Sequence, residues 1–90
     1  MKFNNTDFKS REVGMFRLRD LKNGVYQIHK KDGEAFEGTL KAIFRASVEL
    51  GVRVPDFELA VNEMTKNGHD YAEFGIFGRF IYSATDRKAA

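Results

Sequence analysis

The sequence predicts an α+β domain of order ββααβ, a three-stranded antiparallel sheet with a helical hairpin packed on one face. Three observations predict it. Residues 15–30 hold two short runs, either side of Asn23-Gly24, that can be set in register as paired strands. Residues 34–67 repeat apolar side chains at spacings of three and four, in two blocks divided by Gly51 and Pro55. Residues 71–82 gather five aromatics and two isoleucines around two glycines, too apolar at both parities for an ordinary edge strand.

The first two strands are read as Met15 to Leu21 and Val25 to Lys30, and their register can be argued. A two-residue loop at Asn23-Gly24 would set Leu18 opposite His29 and Arg19 opposite Ile28, mixing apolar and charged residues on both faces. A three-residue loop through Lys22-Asn23-Gly24, with Gly24 in the left-handed conformation, pairs Leu18 with Ile28, Phe16 with Lys30 and Asp20 with Tyr26. The longer loop is preferred, because a slip of one residue moves every side chain to the wrong face. Arg17 then stands beside His29 and Arg19 beside Gln27, a polar face with a positive lean.

After the turn Lys31-Asp32-Gly33, a helix is expected over Glu34 to Leu50, with Phe36, Leu40, Ile43, Phe44, Val48 and Leu50 on its apolar side. Glu37 can pair with Lys41 one turn on, and Gly51 ends the helix. Ser47 falls within the apolar arc, where its hydroxyl bonds back to the preceding turn. Pro55 and Asp56 open a second helix, which buries Phe57, Ala60, Val61 and Met64 and stops at Asn67-Gly68.

The third strand is taken as Tyr71 to Tyr82. With side chains alternating across it, Ile76, Phe80 and Tyr82 can face the core while Phe77 and Ile81 still need cover. Gly75 and Gly78 allow a bulge or the close approach of another backbone.

Ninety residues make one domain, and a chain of this size buries only about 60 to 65% of the surface it exposes when unfolded, so dimerisation would help its thin core. The polar ends, residues 1–12 and 83–90, are expected to be loosely ordered, with Phe3 and Phe8 available to pin the first to the body. The chain has no cysteine, hence no disulfide and no thiolate metal site, and no apolar run nears the roughly 18 residues that span a bilayer. It reads as a soluble cytoplasmic protein with no membrane partner. Net charge is only +2, so nucleic-acid binding would need a local patch.

Two functional readings follow. The first is a small non-catalytic binding or regulatory protein that self-associates as a homodimer, or meets another protein, through the aromatic third strand, with Gly75, Phe77, Gly78 and Ile81 at the interface. Two large adjacent apolar residues on one strand face are the sort of patch that marks such a contact. The alternative is a nucleic-acid-binding module. It would use a basic sheet face of Arg17, Arg19, His29 and Arg79, cations beside the planar Phe77 ring, to stack on and neutralise a single strand. It could also use residues 46–61, whose spacing around Gly51 resembles a DNA-binding helix-turn-helix. That second helix exposes Asp56, Glu58 and Glu63 against Lys66 and the turn's Arg53, an acidic surface that a duplex would repel. An enzyme ranks third. His29, His69, Asp70 and Glu73 assemble no catalytic site, no histidines stand at metal-binding spacing, and no cofactor or metal is implied.

Overall fold

Strand β1, Gly14–Lys22, lies at the centre of the sheet and pairs antiparallel with β2, Val25–Lys30. The computed structural model describes residues 14–85, and the expectations for residues 1–12 and for the tail beyond Thr85 lie outside the described residues. Phe16 faces Lys30, Leu18 faces Ile28 and Asp20 faces Tyr26, the predicted register. The device that sets it differs from the prediction. Lys22 pairs with Val25 across a two-residue Asn23-Gly24 turn, and the extra residue is taken up by a register shift between Asp20 and Lys22. Lys22, Asn23 and Gly24 all have positive φ, at 75°, 58° and 78°, which matches the twist of a tight hairpin. The Lys22 amide donates to Asp20 Oδ1 at 2.8 Å, which holds the bulge.

The predicted three-stranded sheet is incorrect: the described residues form five antiparallel strands, in the sheet order β3 (Ala35–Gly38), β2, β1, β4 (Tyr71–Gly75) and β5 (Phe80–Ala84). One additional strand, β3 (Ala35–Gly38), takes the place of the expected first helical turn. Phe36 has the spacing of a helical residue, but it pairs with Ile28, and Glu37 accepts from Gln27 Nε2 at 2.7 Å instead of meeting Lys41. The helix starts after Thr39, whose hydroxyl oxygen accepts from the Ala42 amide at 3.2 Å. Helix α1 is therefore Leu40–Leu50, with Ile43 and Ser47 buried and the Ser47 hydroxyl donating to the Ile43 carbonyl at 2.7 Å. Gly51 ends it as expected, and α2, Val54–Asn67, buries Phe57, Ala60 and Met64.

The other additional strand arises because residues 71–82 fold back on themselves. β4, Tyr71–Gly75, pairs with β1, and β5, Phe80–Ala84, pairs with β4. The two glycines close a turn instead of bulging one long strand: the Gly78 amide donates to the Gly75 carbonyl at 2.9 Å and the Gly75 amide to the Arg79 carbonyl at 2.8 Å. Ser83 and Ala84, expected in a loose tail, belong to β5.

Both helices lie on one face of the sheet, α1 over β2 and β3, α2 over β4 and β5. The core between them is Phe16, Leu18, Ile28, Ile43, Val52, Phe57, Ala60, Met64, Ala72 and Phe74. A run of aromatic contacts crosses it, from Phe44 to Phe57 at 5.2 Å, Phe57 to Phe74 at 6.5 Å and Phe74 to Phe80 at 6.1 Å between ring centres.

Candidate functional site

On the sheet face away from the helices, the pairing of β1 with β4 sets Arg17 opposite Glu73 and Arg19 opposite Tyr71, while β2 adds His29 and Gln27. Arg17, Arg19, Gln27, His29 and Glu73 are buried, Arg17 at 2% exposure and Glu73 at 0%, and Tyr71 is half-buried. Arg17 Nη2 donates to Glu73 Oε2, and its guanidinium stands 4.6 Å from the centre of the Tyr71 ring, with that of Arg19 at 5.9 Å. Glu73 Oε1 is buried with no hydrogen-bond partner among the described residues. The Tyr71 and Tyr82 rings meet edge to face at 6.0 Å, with their hydroxyls 3.1 Å apart. Burial, the Tyr71 hydroxyl and the Glu73 charge together raise the Tyr82 phenol above its ordinary 10.0, against a smaller opposing pull from Arg17.

Of the four residues assigned to a basic face, Arg17, Arg19 and His29 come together and Arg79 does not. Arg79 is exposed in the β4–β5 turn. Each of these three gathered side chains is engaged within the chain. Sequence reasoning placed them on one face but missed Glu73 as Arg17's counter-ion, because that pair forms only once β4 is known to neighbour β1, 56 residues away. Among the described residues no group of three metal-ligating side chains forms, and no helix is long and apolar enough to cross a membrane.

The second feature is the tip of the β4–β5 hairpin. Ile76 is 51% exposed and Phe77 73%, the most exposed large apolar side chains among the described residues. Ile76 was expected to face the core. The tip is not loose. Gly78, at φ 74°, runs so close to the α1–α2 turn that a Cβ there would fall 2.0 Å from the Gly51 carbonyl oxygen and 2.9 Å from Val52 Cα. The Arg53 amide donates to the Gly78 carbonyl at 3.1 Å, and the Phe80 amide to Asp56 Oδ1 at 2.9 Å. Asp56 Oδ2 also stands 3.5 Å from Arg53 Nε. The predicted glycine pair thus allows a close approach of backbones, at Gly78, and the backbone is the chain's own. Gly75, Phe77 and Gly78 share this turn; Ile81 lies beyond it on β5, half-buried.

A third feature belongs to the helical hairpin. Between α1 and α2 runs an open groove of about 620 Å³, floored by Leu40, Phe44, Phe57 and Val61 and lipped by Lys41 on one helix and Glu58 on the other. Residues 46–61, read as a helix-turn-helix spacing, span the end of α1, the Gly51 turn and the first half of α2.

Compared with protein-family models, curated proteins and solved structures, the chain matches none.

Proposed function

We propose that the chain is a small non-catalytic binding or regulatory protein of the cytoplasm that self-associates as a dimer, with the β4–β5 hairpin tip as its contact. The observation that carries this is the pairing of exposure with anchorage. Ile76 and Phe77 are presented to solvent on a turn fixed by Gly78, Arg53 and Asp56. An apolar pair on a stiff support loses little conformational freedom when it is covered, so more of its burial is retained as affinity. Aromatic anchors of this kind dominate the energetics of interfaces.

The basic sheet face supports a nucleic-acid reading less well. A phosphate reaching Arg17 would have to break a buried ion pair and strand Glu73 without its counter-ion.

Sedimentation at low micromolar concentration tests the proposal. The wild type should run as a dimer and Phe77→Asp as a monomer with unchanged helical content, because an unpaired carboxylate in an apolar contact is costly. A wild-type monomer would leave the proposal without support.

A further inference from the structure

We infer that the hairpin tip of one copy seats Phe77 in the groove between α1 and α2 of a second copy, and that the exchange is reciprocal about a two-fold axis. This rests on the self-association proposed above and names the surface that receives the tip. The groove does not close on its own chain's tip. Its lining comes from α1 and α2 alone, Leu40 to Phe44 and Phe57 to Asn62, with no residue of the tip among them. Phe77 is accordingly left 73% exposed. Knob and groove are therefore displaced from one another on the same molecule, the arrangement in which a second copy can supply what each lacks.

Size and charge both fit. The groove, at about 620 Å³, is several times the ~150 Å³ that holds one benzene ring, so it has room for Phe77 together with its neighbours at the tip, and its floor is apolar throughout. Exposed Arg79, two residues from Phe77, forms no ion pair among the described residues, and Glu58 stands on the α2 lip. Lys41 on the α1 lip repels Arg79, so the cation is directed to the α2 side and the seating has one orientation. One seated aromatic buries about 150–250 Å², far short of the ~1,200 Å² of a stable interface. A single contact is thus insufficient, and even the reciprocal pair, at about 300–500 Å², leaves most of the interface to the surfaces that a two-fold axis brings together around the tips.

Cross-linking tests this, because the chain has no cysteine and introduced thiols are the only ones present. Ile76 at the tip and Asn62 at the groove are both exposed, so Ile76→Cys and Asn62→Cys leave the core intact. Mixed as two differently tagged chains and treated with a short bismaleimide, they should join to each other in preference to themselves. Phe77→Asp in the tip chain should abolish the product. Glu58→Arg should weaken the dimer several-fold, and adding Arg79→Glu to the same chain should restore it. A dimer that cross-links only between two Ile76→Cys chains, or at neither pair, overturns the knob-in-groove contact while self-association stands. A wild-type monomer overturns both.

Discussion

Gly78 and Gly24 both sit at positive φ, yet alanine should affect them very differently. At Gly24, φ 78°, a Cβ would have no heavy atom within 4 Å, so Gly24→Ala meets only the left-handed backbone penalty of about 1–2 kcal/mol. At Gly78 the same penalty is joined by a collision with the Gly51 carbonyl and Val52 Cα. Both are backbone atoms, which cannot swing aside as a side chain can. Gly78→Ala is expected to destabilise by at least ~3 kcal/mol, at the severe end of single substitutions. Urea midpoints of the two variants decide the point, and equal small losses would mean that the tip is not clamped to the helix turn. The Arg17–Glu73 pair is a different kind of residue-scale device. A buried ion pair contributes little over an apolar pair of the same size, but a carboxylate left without its cation is strongly disfavoured. Arg17 and Glu73 face each other across β1 and β4, so a slip of one residue would part them; the pair fixes register more than it adds stability.

At the scale of elements, the sequence was most legible where local chemistry decides the outcome. The β1–β2 register followed from matching apolar residues, α1 stopped at Gly51, and Ser47 bonded within its own helix, each settled by residues a few positions apart. It was least legible where pairing overrides periodicity. Phe36 is spaced for a helix with Leu40, but β2 offered an open edge, and Gly38 with Thr39 made a better helix start than Glu34. Residues 71–82 were apolar at both parities because they are two strands, and Gly75 and Gly78 mark the turn between them. The tip was visible in part, since Gly75, Phe77 and Gly78 are sequence neighbours; the groove was not, since it needs α1 and α2 side by side. That packing separates two phenylalanines that sequence alone treats as equals. Phe57 is 2% exposed and touches both Phe44 and Phe74, whereas Phe44 is half-buried on the groove floor. Phe57→Ala should cost about 3–5 kcal/mol, and Phe44→Ala clearly less because water already reaches part of the site. Thermal melts below the dissociation constant of the dimer compare them, and equal losses would contradict this packing.

The molecule as a whole divides its labour between the two faces of one sheet. The helix-covered face holds the apolar core, and the other face holds buried charge and two tyrosines whose contacts tie β1, β4 and β5 together. This second face should make stability sensitive to alkali. Burial, the Tyr71 hydroxyl and the Glu73 charge raise the Tyr82 phenol above the value of 10.0 that it regains on unfolding. Above pH 10 the unfolded chain has therefore given up a proton that the folded chain keeps. Fewer protons are then bound in the unfolded state, so stability falls as pH rises from 10 upward, while the contribution is fully present below 10. Tyr26 is raised in the same sense, by burial and then by Asp20, and adds to the slope. Lysines titrate in this range too, so the informative quantity is the difference between wild type and Tyr82→Phe. At pH 7 the variant should be less stable by about 1 kcal/mol, the net worth of the hydroxyl contact with Tyr71. Between pH 10 and pH 11 that gap should narrow, because only the wild type has the Tyr82 proton to lose on unfolding. Urea denaturation at pH 7, 9, 10 and 11 measures it, and a gap that stays constant across the series would mean that the Tyr82 phenol is not held protonated by the fold.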